Sequence, residues 1–238
     1  MTDPLAVPRA RADGLTPLIE RLRSAGRVVL TTHVNADGDG IGSQVAVAAW
    51  LNSIGVGATI VNPTPFPANL GFLVTRPGLV ADLGTAAAAR ALREADLFLV
   101  LDTSEPNRVA PLLDHLDPER TLVVDHHPAG PTVVGTHGVQ DPTAAAAGEL
   151  AFDLLRLADA PPLPAADLGI YVAIVSDTGS FRFSNTSPRA HRIAATLLEH
   201  GVDPEAVFQR LFATAPLRRL ELLRAALGTL ESDPRIGL

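Results

Sequence analysis

The stretch VVLTTHVNADGDGIGSQVAVAAWLNSIG (28–55) decides the fold class. VVLTT (28–32) is short, apolar and β-branched, the composition of a buried strand. HVNADGDG (33–40) interrupts it with polar residues and glycine and reads as a loop. IGSQVAVAAWLNSIG (41–55) is long enough for a helix and stops on Gly55. Working outward, GATIVN (57–62) reads as a second strand, followed by the Pro-rich loop PTPFPANLG. TAAAARALREA (85–95) predicts a helix, LFLVLD (97–102) a strand, VAPLLDHL (109–116) a short helix and TLVVD (121–125) a strand, with TVVGT (132–136) as an outer strand. TAAAAGELAFDLLRLA (143–158) predicts a long helix. PAADLGIYVAIVSDTGS (164–180) begins as a helix, although its apolar run alone also allows a strand. Helices follow at 187–201, 203–214 and 215–231, and LTPLIERLRSAG (15–26) supplies one before the first strand. Strands alternating with helices, then helices alone, predict an α/β fold: a mostly parallel sheet flanked by helices, with a helical C-terminal part.

The whole-chain properties narrow the function. The formal charge is −7, against a broad basic surface for long nucleic acid. There is no cysteine, which excludes disulfides and thiolate metal sites and fits the cytoplasm. There is no lysine either, so lysine-based catalysis is excluded. No uninterrupted apolar run suggests a membrane span, and the opening MTDPLAVPRARADG does not read as a signal peptide. Residues 1–14 are expected to be a flexible lead.

Acidic and histidine residues stand just past the apolar runs: His33, Asp37 and Asp39; Asp102; Asp125, His126 and His127; and Asp177. In parallel sheets functional groups gather at the carboxyl ends of the strands. Four carboxylates meeting there, Asp37, Asp39, Asp102 and Asp177, repel one another unless cations lie between them. A pair of divalent metals is the simplest account, and it points to phosphate-ester chemistry. Each piece has a plainer reading alone. DGDG is also an ordinary turn, Asp102 a helix cap, and Ser176-Asp177-Thr178-Gly179 a helix end. In an extended loop His33, Asn35, Asp37 and Asp39 could point the same way, and imidazole with carboxylates suits Mn²⁺ better than Ca²⁺. Gly38 and Gly40 are expected to let that loop turn tightly. In GSFRFSNTS (179–187), Arg182 is a candidate phosphate or base contact, while Phe181 and Phe183 are more often core than stacking platforms. Arg218, Arg219 and Arg224 read as a solvated helix face.

HVNADGDGIGS, LVLD, VVDHH and IVSDTGSF, in this order, resemble the four motifs of the DHH phosphoesterase family. The likeness is to the branch of oligoribonucleases (nano-RNases) that also dephosphorylate pAp or open cyclic dinucleotides, and it spans roughly residues 15–230. The resemblance implies that His33 and Asp37 hold one metal, that Asp39, His126 and Asp177 hold the other, and that Asp102 bridges both. It implies His127 beside the scissile phosphate, Asp125 behind it, and Asn35 touching a phosphate oxygen or the ligand network. The expected cofactor is two divalent ions of the Mn²⁺ type, and the expected partner is a short nucleotide, with no long nucleic acid and no membrane. A homodimer is also implied. Residues 15–231 are expected to be the catalytic domain and 232–238 the start of a linker, since the GGGH-like segment of the family's DHHA1 domain is not found here. Two alternatives stand beside this reading: a pyrophosphatase or polyphosphatase of the same superfamily, and a regulatory module that binds nucleotides without turnover.

Overall fold

A computed structural model describes residues 3–214 and 216–230. Of these, the residues up to Asp203 form one compact unit and those from Pro204 form another.

The first unit is built on five short strands: β1 (Arg27–Thr31), β2 (Gly57–Ile60), β3 (Leu97–Leu101), β4 (Thr121–Asp125) and β5 (His137–Gln140). All pairings are parallel, in the order β2-β1-β3-β4-β5. β3 and β4 are buried along their whole length, as strands covered on both faces must be. Because β2 and β3 lie on opposite sides of β1, the chain reverses direction across the sheet there. Such a switch point opens a crevice at the carboxyl ends of the strands.

Helices cover both faces. One layer packs α3 (Ala86–Glu94) and the 3₁₀ segment Pro106–His115 against Val29, Phe98, Val100 and Val123. On the other side lie α1 (Arg9–Ser24), α2 (Gly38–Ser53), α4 (Ala147–Leu157) and α5 (Pro164–Asp177), followed by α6 (Pro188–Glu199). Nearly every residue of α2 is buried, and so is most of α5. A helix enclosed on all sides needs neighbours close by, and small residues permit it. A side-chain carbon on Gly42 would lie 2.2 Å from the Gly169 carbonyl oxygen, and one on Gly38 would overlap the Ser176 hydroxyl. The start of α2 therefore meets the end of α5, and the two helices run antiparallel with backbones almost touching.

Several expectations change. Residues 9–14 are not lead: they form the first turns of α1, and Arg11 is buried. The outer strand is His137–Gln140, not 132–136; the latter run is bent, with the Val134 amide bonded to Ser104 and the Thr136 amide to Pro118 instead of to a strand. The loop after β1 is shorter than read, since Gly38, Asp39 and Gly40 already lie in the first turn of α2. Gly38 and Gly40 serve close packing against Ser176 and Thr32 rather than a tight turn. Asp177 ends a helix, as the reading of 164–180 expected, and not the strand its apolar run also allowed. The 109–116 helix is wound as 3₁₀, with Pro111 inside it. The expected linker at 232–238 lies outside the described residues.

The second unit contains α7 (Pro204–Leu211) and α8 (Leu217–Gly228). Arg218, Arg219 and Arg224 are exposed on α8, as expected. Among the described residues no helix is long and apolar enough to cross a membrane.

The α2–α5 contact yields a stability prediction. Gly42→Ala is expected to destabilise the chain by about 1–3 kcal/mol, because the new methyl must push two buried helices apart. Gly228→Ala, in open space, is expected to be neutral or slightly stabilising. Urea unfolding of both variants checks this, and equal midpoints would disprove the close approach.

Candidate metal centre

The site assembles at the switch point from four places in the chain. His33 leaves the end of β1, and its Nδ1 faces the Val34 carbonyl at 2.8 Å. That contact leaves Nε2 as the atom turned to the site. The loop is held from the other side, where the Val34 amide donates to the Arg108 carbonyl at 2.7 Å.

Asp37 caps α2. Its Oδ1 accepts from the amides of Asp39 at 3.0 Å and Gly40 at 3.2 Å. Its Oδ2 lies 3.8 Å from His33 Nε2.

Asp39 is fully buried, and both its oxygens are taken by the start of another helix: Oδ2 accepts from Ala147 at 2.7 Å and Oδ1 from Gly148 at 2.9 Å. The positive end of α4 thus faces a carboxylate.

Asp102 follows β3 with φ of 63°, the left-handed region that costs a non-glycine residue strain. This turn directs its carboxylate between two imidazoles. Oδ2 lies 3.3 Å from His33 Nε2 and Oδ1 lies 3.4 Å from His126 Nε2. His126 Nε2 also lies 3.5 Å from Asp39 Oδ2 and 3.8 Å from Asp177 Oδ2.

The ligand-type atoms fall into overlapping triads, each within 4.8 Å: His33, Asp37 and Asp102; Asp39, His126 and Asp177; and Asp102, His126 and His127. Asp102 belongs to the first and third. His33 Nε2, His126 Nε2 and Asp102 Oδ1 are buried and have no hydrogen-bond partner among the described residues. Buried polar atoms left in this state are costly, so three around one point call for something to bind them. Imidazole nitrogens with carboxylate oxygens are a donor set for a divalent transition metal, and the side chains present fit it.

His127 is different. Its Nδ1 and its own amide both face Asp125 Oδ1, at 2.8 and 3.0 Å, and its ring is 41% exposed. Asp125 is buried at the end of β4 and fixes that ring, leaving Nε2 free to meet a ligand. Asn35 sits at a left-handed φ of 55°, with its amide bonded to Thr64 at 2.8 Å, and its side chain is exposed. Arg182 is exposed, and its Nε donates to the Gly179 carbonyl at 2.7 Å. The structure brings together His33, Asp37, Asp39, Asp102, His126, His127, Asp125 and Asp177. It gives neither Asn35 nor Arg182 a side-chain bond to that group.

Three contributors, Asn185, Ala147 and Gly148, were not visible in sequence. The Asn185 amide donates to Asp177 Oδ2 at 3.0 Å and to the Ala145 carbonyl at 2.9 Å. The amides of Ala147 and Gly148 act through backbone, so an Ala-rich run gives no sign of them. For Asn185 the only signal was a polar residue soon after Asp177.

The electrostatics follow from this packing. Burial opposes charge on His33, but Asp102 and Asp37 outweigh it and push its pKa up to about 10. Burial likewise opposes charge on His126, and Asp102 with Asp39 lifts it to about 9. Burial raises Asp39 well above the carboxylate range, aided by Asp102. Burial also raises Asp177. Burial works against ionised Asp37 and Asp125, but His33 and His127 respectively hold both below the usual range.

These features define an α/β protein with a carboxylate–histidine centre at a sheet switch point. The DHH family, N-terminal domain, matches residues 27–174, and the chain belongs to that family. It is 31% identical over 189 residues to a protein named bifunctional oligoribonuclease and PAP phosphatase NrnA from Thermus thermophilus, covering 78% of this chain and 54% of that protein. The protein of the same name from Bacillus subtilis is 27% identical over 212 residues, covering 84% of this chain and 61% of its own length. The chain thus spans little more than half the length of these relatives. A solved exopolyphosphatase-related protein from Bacteroides fragilis aligns with 98% of this chain and 68% of its own, with TM-score 0.82 and 25% identity.

The raised imidazoles give a pH prediction. In the metal-free protein the stability drawn from charged His33 and His126 is fully present below about pH 6.5, the ordinary imidazole value. It is lost as the pH rises through about 9 and about 10. A metal at Nε2 must replace those protons. Metal uptake at pH 7 is therefore expected to release protons and to tighten with rising pH. Calorimetry in two buffers of unlike ionisation heat measures the release; identical heats would show that the imidazoles were already neutral.

Proposed function

We propose that the chain is a metal-dependent phosphoesterase that hydrolyses phosphodiester or phosphomonoester bonds of short nucleotides: oligoribonucleotides, pAp, and linear or cyclic dinucleotides. The observation that carries this reading is the trio of buried, unpartnered atoms, His33 Nε2, His126 Nε2 and Asp102 Oδ1, at the centre of two carboxylate–histidine triads. His33 and Asp37 would hold one divalent ion, Asp39, His126 and Asp177 a second, and Asp102 both. Mn²⁺ suits this mixture of nitrogen and oxygen ligands. Bound there, such ions would lower the pKa of an attacking water and offset charge on the phosphoryl oxygens.

The chain's own residues do the rest. His127 presents Nε2 toward solvent and donates a hydrogen bond to a phosphoryl or leaving-group oxygen. Asp125 accepts from Nδ1 and keeps the ring in the orientation that allows this. Four carboxylates, Asp37, Asp39, Asp102 and Asp177, balance two divalent cations in formal charge, so an anionic substrate can approach. Asn35 and Arg182 lie on exposed loops and are assigned to substrate, Arg182 to phosphate through its planar set of donors. The names of the Thermus and Bacillus relatives support a short-nucleotide substrate; a cytoplasmic setting belongs to the same proposal. A homodimer is part of the same reading.

The likeness to an exopolyphosphatase-related protein favours one alternative, action on pyrophosphate or polyphosphate. Mn²⁺-dependent release of mononucleotide from pApA, set beside phosphate release from pyrophosphate, separates the two. Binding of nucleotide with neither product would favour a regulatory module.

Two variants test the roles. Asp102→Ala is expected to abolish turnover and greatly weaken uptake of both metals; retained wild-type turnover would remove Asp102 from the centre. His127→Ala is expected to lower kcat by roughly 10²–10⁴-fold, the usual range for a lost proton donor. Its metal content, measured by elemental analysis, should stay near wild type. An equal loss of metal would make His127 a ligand instead.

A further inference from the structure

Among the described residues, a second dense charge cluster lies outside the centre, around the buried Arg11. Arg11 is 4% exposed. Its Nε donates to Asp141 Oδ2 at 2.5 Å, and its Nη1 donates to Glu149 Oε1 at 2.6 Å and Asp153 Oδ2 at 2.9 Å. Arg189 joins from α6, donating to Asp153 Oδ1 at 2.6 Å and Glu149 Oε1 at 3.3 Å. Stability alone is a poor account of this arrangement, because buried ion networks often do no better than apolar packing of the same volume. Fixing one geometry is the better-attested use.

What this network fixes is the segment 141–149. Glu149 Oε2 accepts from the Ala145 amide at 3.1 Å, and Asp141 Oδ1 accepts from the Thr143 amide at 2.9 Å. The same segment grips the metal centre. The Ala147 and Gly148 amides hold Asp39, and the Ala145 carbonyl holds Asn185, whose amide binds Asp177. Asp39 and Asp177 are thus tied to one short stretch of backbone, which Arg11 and its carboxylates lock from behind. Among the described residues, His33 and Asp37 have no bond to this segment.

We propose that Arg11, acting through Glu149 and Asp141, is a positioning residue for the Asp39–His126–Asp177 ion position, and that it sets the affinity of that position apart from the one at His33 and Asp37. This rests on the two-ion reading above. Arg11 touches neither metal nor substrate. It holds the backbone that aims two of the ligands, Asp39 and Asp177, and loss of such outer partners typically weakens metal binding by about 10–100-fold.

The test titrates Mn²⁺ alone into the full chain, with calorimetry and electron paramagnetic resonance of bound Mn²⁺ as readouts. Wild type is compared with Arg11→Lys, which keeps the charge but not the planar fork. Glu149→Gln, which keeps the shape and one acceptor oxygen, carries the test if Arg11→Lys does not fold. One equivalent is expected to bind at least tenfold more weakly in the variant, with the other unchanged and the circular dichroism of wild type retained. Wild-type affinity for both equivalents with only a lower Tm would overturn the proposal, as would equal weakening of both. The wild-type stoichiometry alone judges the two-ion reading, so the two failures are distinct.

Discussion

The structure depends on how closely α2 and α5 approach. Gly42 and Gly169 remove the side chains that would separate them, and the helices meet backbone to backbone. Their antiparallel course brings the first turn of α2 beside the last turn of α5. Asp39 stands on one and Asp177 on the other. A wider spacing would carry one carboxylate away from His126 and leave the other without its counterpart. Helix packing, rather than a strand end or a loop, therefore sets the width of half of the centre.

The sheet sets the other half. β1, β3 and β4 are neighbours, so His33, Asp102 and His126 arrive side by side although the chain between them is long. Asp102 is the hinge between the halves, since its two oxygens face different imidazoles. The charges are not self-cancelling in the usual sense. Burial lifts Asp39 and Asp177, the carboxylates lift His33 and His126, and the helix end at Ala147 and Gly148 steadies Asp39. Each of these four groups therefore holds a proton more tightly than usual, and an incoming cation must displace it.

Much of this was legible from sequence because its signals are local. Apolar runs ending in Asp or His marked β1, β3 and β4, and the spacing of HVNADGDG, LVLD, VVDHH and IVSDTGSF marked their meeting. The outer strand was misplaced because TVVGT carries β-branched residues, while HGVQ, the true strand, has only one; neighbour pairing with β4 outweighs propensity there. Residues 9–14 read as lead because their charges suggest solvent. Arg11 instead finds its partners more than 120 residues away, a distance no local pattern encodes. The grip of Ala147 and Gly148 on Asp39 was hidden for another reason, as it uses main-chain amides whose side chains say nothing.

The backbone at Asp102 has a consequence for how this protein can change. A left-handed conformation suits glycine better than any residue with a side chain, so the fold alone would be more comfortable with glycine there. Breeding the chain for heat resistance without also asking for chemistry would thus favour erasing the aspartate. Durability and reactivity pull in opposite directions at that single link of the chain.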